Sequence, residues 1–172
     1  LMLVVVTLVS LLVNIYSIGY MAGDRDIRRY FAMLGFFTFS MLGIVAASNL
    51  LIVFIFWELV GFSSYMLIGH WKEKPEAADA AKRAFILNRV GDAGFIVGLM
   101  ILWTHTGTFN IQELNSIASD VSWRTAASFG IFCGIIGKSA QFPLSAWLPD
   151  AMEGPTPVSA WEHAATMVGA GV

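Results

Sequence analysis

Apolar residues run through this chain in long blocks rather than in stripes. The first charged residue is Asp24, and further apolar blocks cover roughly 30–48, 49–70 and 84–105. About 20 mostly apolar residues are what a helix needs to cross a bilayer. A fifth segment starts near 124 and a last one near 156, so the pattern predicts an all-α polytopic bundle of about six spans. The second and third blocks nearly touch at Ser48–Asn49, which leaves room only for a very tight turn. FNIQELNSIAS, 109–119, has apolar positions at helical spacing and predicts a short interfacial helix. Asn14, Ser17 and Tyr20 read as ordinary polar decoration of a packed first helix.

One stretch breaks the pattern. GKSAQFPLSAWLPDAMEGPTP, Gly137–Pro157, follows the apolar run AASFGIFCGII and puts a lysine inside the fifth segment. A helix starting near Arg124 carries Lys138 about 21 Å along its axis, too deep for snorkelling back to that end. Pro143 cannot continue the hydrogen bonding of the preceding turn, so the helix is expected to be discontinuous near Lys138–Pro143. Carbonyls freed in a membrane survive only where protein or a water-filled cavity satisfies them. The sequence therefore predicts local water, and broken helices beside charges are typical of transporters.

Composition agrees with a multi-span membrane protein. The chain is 57% hydrophobic and 13% charged, where a soluble domain carries about a quarter charged residues. A net charge of −2 gives no electrostatic footprint for nucleic acid. The single cysteine, Cys133, excludes an internal disulfide, and there is no CxxC or Gly-rich phosphate loop. Seven of the ten basic residues (Arg25, Arg28, Arg29, Lys72, Lys74, Lys82 and Arg83) fall in the 22–29 and 71–83 connections. Alternation of spans puts both on one side, which the positive-inside rule makes cytoplasmic. The chain opens on LMLVVVTLV and stops inside an apolar run, and we read 1–172 as one membrane domain, an internal fragment of a longer protein.

Five ionisable side chains remain within apolar segments: Glu58, Arg89, Asp92, Lys138 and Glu162, with His163 beside the last. Each costs about 2.5–3.5 kcal/mol at a helix centre on insertion scales, so a functional reading is the default. The bland alternative is a set of structural ion pairs locking helices together. Glu58 lies close to mid-membrane with nothing in its own span to neutralise it, and Gly61, Ser63 and Ser64 after it permit a close neighbour. Arg89 and Asp92 are three apart on one helix face, where they could neutralise each other or form the mouth of an interior water path. Lys138, beside a broken helix, is a group that could load and release a proton.

The segments FWELVGFSSYMLIGHW, AAKRAFILNRVGDAGF, GKSAQFPLSAWLPDAMEGPTPVSA and HAATMVGAGV resemble the antiporter-like subunits of respiratory complex I, the NADH–quinone oxidoreductase, in its L/5/F branch. The resemblance covers nearly the whole chain. It implies two inverted five-helix repeats, of which this chain would hold the first. It makes Glu58 the fifth-helix glutamate, Arg89 and Asp92 the sixth-helix charged pair, Lys138 the pumping lysine of the broken seventh helix and His163 the histidine that starts the eighth. Arg83 stands where many members have lysine. Ser145 sits where relatives often carry histidine or glutamine, and Trp161–Glu162 replace an apolar pair.

The function this resemblance implies is proton translocation, coupled to electron transfer from NADH to quinone in partner subunits. No cofactor is expected in this chain. NADH, FMN, iron–sulfur clusters and quinone would belong to the other membrane-arm and peripheral-arm subunits. The expected location is a bacterial plasma membrane, or a mitochondrial inner or thylakoid membrane if organellar. The related large subunit of multi-subunit sodium/proton antiporters shares KSAQFP and LPDAM, but NRVGDAGF looks like the complex I form. A non-transporting scaffold is the third reading.

Four site expectations follow. Glu58 and Lys138 should form a switchable pair across two helices. Arg89, Asp92 and Arg83 should tune the cytoplasmic side of the path without carrying the proton. His163, 25 positions after Lys138, should be the next proton station. Glu162, about 100° from His163 on a regular helix, should face a neighbouring helix or the interface where a carboxylate finds water.

Overall fold

The computed structural model describes residues 1–117, 121–165 and 167–171, with the side chains at 121, 163–165 and 170 outside the description. Helices α1 (Met2–Tyr20), α2 (Ile27–Ala46), α3 (Leu50–Ile68) and α4 (Pro75–Thr106) come first. All four are long and apolar enough to cross a membrane. The short α5 (Ile111–Ser116) falls inside the expected interfacial segment; residues 118 and 119 of that segment lie outside the described residues. Then come α6 (Val121–Lys138), the break, α7 (Trp147–Asp150) and α8 (Thr156–Ser159). A π turn (Ala160–Ala165) and α9 (Met167–Gly171) complete the chain.

Two boundaries differ from the sequence expectation. The fourth span begins at Pro75 rather than near 84, because proline fits the first helical turn and the alanine-rich stretch after it propagates the helix. Lys82 and Arg83 therefore ride on a helix, not in a loop. The last span is interrupted by the π turn, where one extra residue per turn rotates everything that follows.

Each end of the bundle is clasped by polar contacts. At one end, Asn49 caps α3 by accepting from the N–H groups of Leu51 and Ile52. The Leu50 N–H donates to the Phe109 carbonyl at 2.9 Å, which ties the tight turn to the loop before α5. At the other end, Asp24 accepts from the Asp26 N–H at 2.8 Å, the Trp71 indole at 3.1 Å and His70 Nε2 at 3.2 Å. The two basic connections thus lie on one side, as alternation of spans requires. Within the first pair of helices, Ser17 is hydrogen-bonded to the Tyr30 hydroxyl at 2.9 Å.

Backbone contact is closest between α4 and α6. A Cβ added to Gly98 would come within 2.7 Å of the Ala127 carbonyl, and one on Gly130 within 2.7 Å of the Gly98 backbone. Further along, a Cβ on Gly91 would sit 2.8 Å from the Cys133 carbonyl. Small residues let membrane helices approach until backbones touch, which replaces the hydrophobic drive that lipid cannot supply. This packing fixes α6, and with it Lys138, against the charged turn of α4.

Two outcomes test this frame. Gly98→Leu should lower thermal stability of the detergent-solubilised full-length protein, by about 1–3 kcal/mol for an overpacked core. Gly35→Ala, at a position with open space around it, should not. Equal effects would mean that the α4–α6 approach is not what holds the bundle. The second outcome concerns pH. Burial works against the ionised Asp24 carboxyl, but donation from Asp26, Trp71 and His70 outweighs it and holds the group below the ordinary carboxylate range. Its contribution is complete above the unfolded value of about 4 and is lost as pH falls through the depressed folded value. Asp24→Asn should therefore destabilise at neutral pH, with a difference that fades in acid. A penalty independent of pH would show that shape alone joins the loops.

Candidate functional site

One face of α3 organises the buried charges. Trp57, Gly61 and Ser64 stand at i, i+4 and i+7, so they line up along one side of the helix. At Trp57, the indole N–H donates to Asp92 Oδ1 of α4 at 2.7 Å, and Asp92 is buried. At Gly61 sits the ammonium of Lys138, close enough that any Cβ there would collide with Nζ. At Ser64 comes the carboxyl of Glu162, brought in from the π turn. Glu58, about 100° round the helix from Trp57, is bridged to Arg89 of α4.

Lys138 is the last residue of α6 and only 1% exposed. Its Nζ lies 5.9 Å from the centre of the Trp57 ring and has no hydrogen-bond partner among the described residues. The charges near enough to act on it are those of Asp92, Arg89 and Glu162. Glu162 is 0% exposed, and neither of its oxygens has a hydrogen-bonding partner among the described residues. An ammonium and a carboxyl, both out of water, therefore lie along neighbouring turns of α3, the carboxyl beside the Ser64 hydroxyl.

The break after Lys138 is held by protein. The Gly137 carbonyl accepts from the Trp147 indole at 3.0 Å, and the Ile136 carbonyl from the Gln141 N–H at 2.9 Å. Ala140 takes a positive φ of 49°, and the Phe142–Pro143 peptide is cis. The Ser139 hydroxyl donates to the Val168 carbonyl at 2.9 Å, which joins the break to α9. Of the two expected ways to satisfy freed carbonyls, protein or a water-filled cavity, protein serves these two.

Several expected positions need correction. Glu58 is paired with Arg89, not with Lys138, because the arginine reaches across from the adjacent helix while Lys138 lodges one turn further on at Gly61. Arg89 and Asp92 do not simply neutralise each other, since one bridges Glu58 and the other holds the Trp57 indole. Arg83 pairs with Asp150 of α7 at a half-exposed surface, outside the charge cluster. Glu162 faces a neighbouring helix, α3, which is one of its two expected placements; the other, a wet interface, is ruled out because its side chain is wholly buried. The His163 side chain lies outside the described residues. Trp57 was missed by the sequence reading, although its position just before Glu58 was a usable signal. Gly61 and Ser64 were noticed only as small residues that permit close packing.

Residues 47–172 match the family described as NADH:quinone oxidoreductase/Mrp antiporter, TM, and residues 1–31 match NADH-ubiquinone oxidoreductase (complex I), chain 5 N-terminus. The chain belongs to this antiporter-like family. NAD(P)H-quinone oxidoreductase subunit 5, chloroplastic, of Draba nemorosa is 53% identical over 99% of this chain and 24% of its own length. The Arabidopsis thaliana protein of the same name is 51% identical over the same shares. The chain thus spans about a quarter of the length of these curated relatives. Among solved structures, the Mrp complex from Dietzia sp. matches with a TM-score of 0.77 and 34% identity over 83% of this chain and 16% of that one. The archaeal membrane-bound sulfane sulfur reductase matches with a TM-score of 0.83 and 27% identity over 97% of this chain and 34% of that one. Likeness to both complexes fits an antiporter-like membrane module.

Pairing can be measured by double-mutant cycles. Glu58→Gln and Arg89→Gln should be strongly non-additive in thermal stability, with a coupling of about 0.5–3 kcal/mol, because each leaves the other's charge stranded. Glu58→Gln and Lys138→Met should be nearer to additive. Stronger coupling in the second cycle would restore the Glu58–Lys138 pair.

Proposed function

We propose that this chain is a proton-translocating membrane domain of the complex I type, with Lys138 as its proton-carrying group. One observation carries the reading: a fully buried lysine at the end of a broken helix, flanked by acids from α4 and the π turn. Lysine is suited to the task because a compact ammonium can be deprotonated when its surroundings change, whereas arginine cannot. Arg89 is then a fixed charge that holds Glu58, and Asp92 is a counter-charge anchored by Trp57. His163 remains our proposal for the next station.

Within the whole assembly, energy would come from electron transfer between NADH and quinone. NADH, FMN, iron–sulfur clusters and quinone would fall to partner subunits, as would the oxidoreductase activity. We place residues 1–172 in a single membrane domain and in the energy-coupling membrane of a bacterium or chloroplast. The chloroplastic relatives favour a thylakoid. Sodium/proton exchange is the second reading, favoured by the Mrp likeness.

The test is Lys138→Met in the full-length subunit, assembled with its partners in membrane vesicles. Protons moved per electron should fall, with assembly retained. An unchanged ratio would overturn the reading. Proton exchange that requires sodium and proceeds without NADH or quinone would favour the antiporter instead.

A further inference from the structure

Glu162 is a buried acid that the roles above leave unused. Its carboxyl is 0% exposed and has no hydrogen-bond partner among the described residues. A carboxyl in that state costs free energy unless it answers a nearby charge or serves chemistry. The groups that face it are the Ser64 hydroxyl of α3, the Lys138 ammonium of α6 and the Tyr30 hydroxyl of α2. Only one of these is a cation.

Placement sharpens the point. Lys138 Nζ rests on Gly61, and Ser64 is three residues further along the same helix. Positions three apart on a helix face are neighbours, with Cβ atoms about 5–6 Å apart. A glycine at 61 leaves no side chain between the ammonium and the next turn, where the carboxyl lies. A π turn delivers the acid there, and such turns often occur at functional sites. Asp92 lies on the other side of Lys138, at Trp57, and already accepts the indole N–H at 2.7 Å. The ammonium thus stands between an anchored acid and an unanchored one.

We propose that Glu162 is a proton-accepting group for Lys138, the unanchored partner to which the lysine's proton passes. In the transfer, an Nζ–H bond of the ammonium breaks and an O–H bond forms on Glu162, directly or through the Ser64 hydroxyl. The ammonium becomes an amine and the carboxylate a neutral acid. No electrons move and the net charge of the pair is unchanged, so the step exchanges an ion pair for two neutral groups. Once the acid has released its proton onward and the amine has taken up a new proton from the path, Asp92, held by Trp57, attracts the re-formed ammonium.

This inference rests on the proposed role of Lys138, and the experiment separates the two. In the assembled complex, Glu162→Gln should cut protons moved per electron by roughly ten-fold or more, as for loss of a positioned proton-transfer group, with assembly retained. Glu162→Asp should restore part of it. In infrared difference spectra, a carboxylic-acid C=O band should disappear in Glu162→Gln and change in Lys138→Met, which a merely space-filling acid would not produce. Normal pumping in Glu162→Gln while Lys138→Met is inactive would sink this proposal alone; normal pumping in both would sink the parent reading. Should Glu162→Gln fail to assemble, the band is sought in the unaltered complex against Lys138→Met, and a spectrum without a Lys138-sensitive acid overturns the proposal.

Discussion

Taking an ammonium out of water costs several kcal/mol even after the surroundings relax, and at Lys138 that cost falls on a group with no hydrogen-bond partner among the described residues. Distance, shape and charge around it all answer this one demand. Asp92 and Glu162 supply opposite charge from two different elements, and the Trp57 ring adds its π face at 5.9 Å. Gly61 supplies the space. Were any other residue at 61, its Cβ would displace the ammonium from the seat it now occupies on α3.

The glycine seam between α4 and α6 is the mechanical side of the same constraint. Electrostatic attraction in a low-dielectric interior falls with distance, but so does the tolerance for misplacement. Backbones that meet at Gly91, Gly98 and Gly130 set α6 against α4 with little freedom to slide. Asp92, next to Gly91 in sequence, meets the Trp57 indole of α3 from this seam. The interior charges are positioned by residues that carry no side chain at all.

Much of the fold was legible because lipid imposes a length on apolar blocks. The tight turn at Ser48–Asn49, the four long helices and the break after Lys138 all follow from block length, polar punctuation and proline. The pairings were not legible, for a physical reason. Sequence separation says which residues share a helix, yet a long side chain such as Arg89 chooses among partners several ångströms apart. Glu58 went to Arg89 on that account. For Glu162 the sequence left two placements open, a neighbouring helix or a wet interface, since no residue type announces the π turn that buries it against α3. Trp57 was overlooked because an aromatic in a membrane helix reads as lipid contact or core, although its indole N–H needs an acceptor once buried.

The contrast between the two kinds of acid in this cluster is a contrast in freedom. Glu58 is bridged by a guanidinium that cannot give up its proton, so no proton passes between those two. Asp92 is held by an indole donor and is fixed in direction. Lys138 and Glu162 are both of a titratable type, and in our proposal the proton passes between them. A site that moves a proton needs both features: rigid charges that set the field, and a few loose ones whose occupancy the field decides. In this bundle the rigid charges belong to α3 and α4, which pack side by side, and the loose ones hang from the two interruptions in helical regularity, the broken turn at Lys138 and the π turn at Glu162. The irregular backbone is thus located where the titratable groups are, and the hydrogen bond from Ser139 to the Val168 carbonyl ties the broken turn to α9, the helix that follows the π turn.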